Sequence, residues 1–121
     1  MELERLEERL TVCRVRDLSE IDLGAGLYFI GKTDEELSLV CRTEDTPPGA
    51  LAREDGWRAF RVRGVLDFSL VGILAGLTGV LAARGIGLFA VSTFNTDYIL
   101  VKEERFGEAL AALEAAGYPV A

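Results

Sequence analysis

Leu70, Ile73, Leu74, Leu77, Val80 and Leu81 recur at i, i+3, i+4 and i+7 spacing, the period of a helix with one apolar stripe. They predict a helix over Leu70–Arg84. Asp67 or Ser69 is placed to cap its start by accepting orphan backbone N–H groups. Arg84 falls in the last turn, and Gly85 suits the C′ position. A second helix is expected over Glu103–Ala116, with Phe106, Leu110 and Leu113 on one face and Gly117 at its end. Runs rich in β-branched and aromatic residues predict strands at Leu88–Ser92 and Tyr98–Lys102, joined by the polar connection Thr93–Asp97.

Trp57–Arg63 reads as a strand with one wet face, Phe60 and Val62 pointing one way, Arg61 and Arg63 the other. Upstream, strands are expected at Leu10–Val15, Leu27–Lys32 and Leu37–Arg42, the last two joined by the turn Thr33–Glu36. Residues 3–9 either extend the first strand or form a helical turn. Asp17–Gly26 is a loop or short helix. Thr43–Gly56, with Pro47, Pro48 and Gly49, reads as a loop with room for one helical turn. The order from Trp57 is β-α-β-β-α, and before it β-(short α)-β-β-(short α), with Trp57–Arg63 serving both. No residue-level repeat is evident. The expected fold is α+β, ferredoxin-like (βαββαβ), in two tandem units with helices on one face of antiparallel sheets. The expected halves are 1–63 and 57–121.

Half of the 121 residues are hydrophobic, enough for a real core. No apolar run reaches the length of a membrane span, and the acidic start MELERLEERL lacks the pattern of a signal peptide. A cytoplasmic location is expected. The net charge is −7, with 13 basic residues against 20 acidic. That balance argues against nucleic acid and anionic membrane as partners. The Arg58, Arg61 and Arg63 cluster is read as a solvated strand face.

Histidine is absent, which removes the commonest neutral-pH general base and metal ligand. Cys13 and Cys41 lie in separate strand-like runs with no CxxC or zinc spacing, and read as reduced core residues. No phosphate-binding glycine motif is present. No catalytic residue, metal site or cofactor is expected.

The segment Leu66–Glu104, LDFSLVGILAGLTGVLAARGIGLFAVSTFNTDYILVKEE, resembles an ACT domain. Gly72-Ile73-Leu74 matches the start of that family's first helix, and Ala83-Arg84-Gly85-Ile86 the turn into its second strand. FSLVGILA, STFNTDYILV and the junction Arg61–Leu70 are similar to a short bacterial subgroup, itself similar to the CASTOR-type cytosolic arginine sensors. The resemblance covers Trp57–Gly117 and extends more thinly to Leu10–Arg42. Many ACT domains carry Pro-Gly where this chain has Val71-Gly72. The resemblance implies a non-catalytic regulatory module that binds a small ligand such as an amino acid, forms a homodimer and acts through a protein partner. The alternative is an interaction module with no ligand.

Two segments are candidates for the ligand. The first is Leu66, Asp67, Phe68, Ser69, Leu70 and Val71. Unpaired N–H groups at a helix start suit a carboxylate, and Asp67 suits an ammonium group or simply caps the helix. The second is Ser92, Thr93, Phe94, Asn95, Thr96 and Asp97. These are ordinary turn residues, but the polar stretch is longer than a tight hairpin needs. The resemblance implies that this region faces ligand at a domain interface, with Asp97 toward a cationic group and Thr93 or Asn95 toward a polar one. Gly72 is read as lying one turn inside the helix, at a propensity cost of roughly 1 kcal/mol against Ala.

Overall fold

The computed structural model of the chain describes residues 1–64 and 71–121. The elements in order are β1 (Leu3–Arg5), β2 (Leu10–Arg14), β3 (Tyr28–Lys32), β4 (Leu37–Arg42), β5 (Ala52–Val62), α1 (Ile73–Ala83), β6 (Phe89–Ser92), β7 (Asp97–Lys102) and α2 (Glu103–Ala115). Leu18–Glu20 and Thr43–Asp45 are single 3₁₀ turns. The chain divides into two compact units, residues 8–57 and residues 1–7 with 58–121.

In the 8–57 unit the strand order is β3-β4-β2-β5, every pairing antiparallel. β5 begins at Ala52, earlier than the Trp57 expected. Glu54, Asp55 and Gly56 have poor strand propensity, but the β2 ladder holds them. Arg14, Cys13 and Val12 face Ala52, Arg53 and Glu54. The register then shifts before Leu10 meets Trp57. The one extra residue makes a bulge, and Gly56 at φ +85° supplies the left-handed backbone it requires. Inside it, the fully buried Thr11 hydroxyl bonds Asp55 Oδ1 and Thr43 Oγ1, both at 3.0 Å. The core is small: Cys13, Val15, Ile21, Leu39 and Cys41, with Tyr28, Leu37 and Ala50 against them. Both cysteines are reduced and buried, as expected.

The other unit is ferredoxin-like with full helices. β5 has β7 beside it, β6 pairs outside β7, and β1 pairs with β5, Leu3 opposite Val62. Counted from β2 in one unit and from β5 in the other, both orders read second, third, first strand. In the 8–57 unit the place beside the first strand goes to that unit's fourth strand. Here it goes to β1, and the chain end adds outside it through a parallel Leu3–Val120 bridge. Residues 3–9 thus resolve in part as strand. Alternation along β5 and β7 turns Phe60, Val62, Ile99 and Val101 to one side. They meet Leu77 and Leu81 of α1 and Phe106, Ala109, Leu110 and Leu113 of α2. At roughly 1.5–3 kcal/mol per large buried side chain, this core is what the 3₁₀ turns of the 8–57 unit cannot build.

α1 starts at Ile73, not at Leu70, and its N-cap is Gly72 rather than Asp67 or Ser69. Gly72 has φ +80°, a left-handed backbone that ends helical geometry on its N-terminal side. The residue read as a weak point inside the helix is its boundary.

Candidate functional site

The connection Thr93–Thr96 closes on itself. Thr93 N–H donates to Thr96 O at 2.8 Å, and the Thr93 hydroxyl both accepts from Thr96 N–H (3.3 Å) and donates to Thr96 O (3.1 Å). This is a tight turn, shorter than its polar run suggested. It is also pinned to β5: the buried Thr96 hydroxyl donates to Val62 O at 2.7 Å. One bond thereby sets the hairpin tip against the end of β5.

Between them lies a cleft of about 410 Å³. The turn contributes Thr93, Asn95, Thr96 and, from the start of β7, Tyr98. The end of β5 contributes Arg61, Val62, Arg63 and Gly64, and β1 contributes Glu4. Gly64 has φ +94°, a left-handed turn that glycine adopts without strain as the chain leaves β5.

The charges here are matched. Arg61 donates from Nε to Glu4 Oε1 at 2.8 Å and from Nη1 to Tyr98 Oη at 3.1 Å. Arg63 lies 2.7 Å from Glu2 and 3.3 Å from Glu4. The Arg61 hydrogen bond, aided by Arg63, holds the Glu4 carboxyl below its ordinary pKa. Arg61 and Arg63 are therefore not simply solvated; they belong to an ion-pair network along one wall. Sequence alone offered no sign of Glu4, which is far from both arginines in the chain.

Of the sequence-derived candidates, Thr93, Asn95 and Thr96 come together at this cleft. Ser92, Phe94 and Asp97 are not on its lining. The Ser92 hydroxyl donates to Asp97 Oδ1 at 2.7 Å, so Asp97 serves the hairpin. Phe94 is 79% exposed at the tip and Val71 91% exposed before the helix. Leu66, Asp67, Phe68, Ser69 and Leu70 lie outside the described residues. Among the described residues no cluster of His, Cys, Asp and Glu is arranged to hold a metal ion, and no helix is long and apolar enough to cross a membrane.

Comparison with known proteins bears on family and fold. The ACT-domain family model matches residues 52–115, more than half of the chain. The human cytosolic arginine sensor for mTORC1 subunit 1 is 41% identical over 59 residues, covering 48% of this chain and 18% of that protein; the Bos taurus protein matches equally. The chain thus spans less than a fifth of the length of these curated relatives. A crystal structure of an Agrobacterium tumefaciens protein is 30% identical, with a TM-score of 0.87 over 99% of this chain and 91% of that one. The ligand-free regulatory subunit of aspartate kinase from Thermus thermophilus has a TM-score of 0.66, each chain 97% covered; at 10% identity the likeness is one of fold. On the extent of the family match and the shared fold, this chain belongs to the ACT-domain family.

Proposed function

We propose that the chain is a regulatory module that binds a free amino acid and catalyses no reaction. The observation that carries this reading is the cleft at the hairpin corner of an ACT fold. Hydroxyl and amide groups of Thr93 and Asn95 stand there beside the Glu4 carboxylate and the Arg61 and Arg63 guanidiniums. A zwitterion needs such a set: donors for its carboxylate and acceptors for its ammonium group. The proposed contacts are Thr93, Asn95 and Thr96 of the hairpin 92–97 with these charged neighbours, and residues 66–71 remain proposed from the sequence. The similarity to an arginine sensor makes L-arginine the first ligand to try, and the acidic chain suits a cationic one.

Regulation would pass through self-association or a partner protein. β3 and β6 end their units' strand orders; such edges recruit a second chain, and we read the module as a cytoplasmic homodimer, to be checked by sedimentation. The main test is thermal. Ligand at a hundredfold its Kd stabilises the native state by about 2.7 kcal/mol, so L-arginine or another amino acid should raise the melting temperature. Asn95→Ala should lower that affinity while leaving the unliganded melting temperature unchanged. If no proteinogenic amino acid stabilises the chain, the ligand reading fails and an interaction module remains.

A further inference from the structure

The cations that line the cleft are already engaged. Glu4 lies directly opposite Arg61 in the β1–β5 register, and the pairing continues as Arg63 N–H donates to Glu2 O at 2.9 Å. Cross-strand partners share a face of the sheet, so Glu2 and Glu4 stand beside Arg61 and Arg63. All three nitrogens of the Arg61 guanidinium have partners: Nε and Nη2 meet Glu4 Oε1 at 2.8 and 2.7 Å, and Nη1 donates to Tyr98 Oη at 3.1 Å. Arg63 reaches Glu2 from Nη1 at 2.7 Å and Glu4 from Nη2 at 3.3 Å. Glu4 is thus the one carboxylate that touches both arginines, among the described residues. The Arg61 hydrogen bond holds its carboxyl below the ordinary pKa, so it is ionised at neutral pH.

The hairpin side of the cleft adds no charge. The Thr93 and Thr96 hydroxyl protons go to Thr96 O and Val62 O. A group entering the cleft therefore meets a wall on which two guanidiniums and two carboxylates cancel. The two signs are not equally accessible to it. A carboxylate oxygen carries more than one lone pair, so Glu4 can accept from a ligand donor and still keep Arg61. A guanidinium whose nitrogens are engaged has no such reserve. An entering anion has to displace Glu4 from Arg61, and it then lies against the carboxylate it displaced.

We infer that Glu4 is the specificity-determining residue of this cleft: it closes Arg61 and Arg63 to anionic groups and restricts the cleft to ligands whose net charge is zero or positive. The restriction on ligands rests on the proposed function. The closing of the arginines does not, and it is open to test with a simple anion.

Inorganic phosphate at constant ionic strength is that anion, followed through the Arg61 and Arg63 Nε–H signals of the ¹⁵N-labelled full chain. Glu4→Gln should bind phosphate with saturable movement of the Arg61 signal, about tenfold or more tighter than wild type, the effect of gaining one charge-assisted contact. Adding Arg61→Gln should abolish the gain. Glu4→Thr, an uncharged strand former, is the second variant if glutamine misfolds. An equal phosphate response in wild type and variant overturns the inference, and so does a gain that survives Arg61→Gln. The ligand arm compares L-arginine with L-glutamate by calorimetry. The preference for arginine should fall about tenfold or more in Glu4→Gln, and an unchanged ratio overturns the assignment. If no amino acid binds wild type, the proposed function fails, and the phosphate titration still decides whether Glu4 closes the arginines.

Discussion

Replacing Thr96 with valine tests whether one hydroxyl positions the hairpin. Thr96 is 6% exposed, and its Oγ1 donates to Val62 O at 2.7 Å. Valine matches threonine in shape, so the change removes the donor with little change in packing. A buried acceptor stripped of its partner costs about 1–3 kcal/mol. Unfolding entropy of about 2.1 cal/mol/K per residue gives a chain of this size roughly 4 °C per kcal/mol. Thr96→Val should therefore lower the melting temperature by about 4–12 °C in calorimetry. Thr96→Ser keeps the hydroxyl and loses one methyl group, roughly 0.8 kcal/mol, and should fall by the smaller amount. Amide exchange at residues 93–96 should quicken in the valine variant alone. The reasoning fails if valine melts within a degree or two of wild type, or if serine is as damaging as valine.

Glu4 predicts an acid limb. Its folded pKa is lowered from 4.5, chiefly by the Arg61 hydrogen bond, so its stabilisation is present above about pH 4.5 and is lost as pH falls through the lower folded value. Glu4→Gln should flatten urea-denaturation midpoints over that range; an unchanged slope would rule out Glu4 as a contributor. Burial pushes the Cys13 thiol up to about 11, which keeps it protonated and inert at neutral pH. Iodoacetamide at pH 8 should modify the native chain far more slowly than the urea-unfolded one, and stability should decline as pH rises from about 9 toward 11. Gly79 lies mid-helix, exposed, with open space where a Cβ would go. Gly79→Ala should stabilise by about 0.5–1 kcal/mol, and a loss measured by urea titration would contradict the geometry.

Periodicity made most elements readable. The stripe through Leu77 and Leu81 and the alternation of Phe60 and Val62 are local consequences of which faces must be dry, and they reappear as the core of one unit. The polar turn at Thr93 was visible because turn chemistry is also local. β5's early start was hidden because Glu54-Asp55-Gly56 is a poor strand by propensity and is held by a bulged ladder with β2, a partner some forty residues away.

Charge pairing was hidden for a similar reason. Arg61 alternates like any wet strand residue, and only the pairing of β1 with β5 brings Glu4 to it. By itself the sequence determined the element types, the paired strand–helix plan, the buried thiols and the absence of histidine chemistry, since each depends on residue type and near-neighbour spacing. The tertiary structure alone decided that β1 fills the fourth-strand place, that Gly72 bounds α1, and that the Thr93–Thr96 turn, the end of β5 and Glu4 of β1 frame one cleft. Those facts rest on contacts between segments distant in the chain, which residue type and near-neighbour spacing do not record.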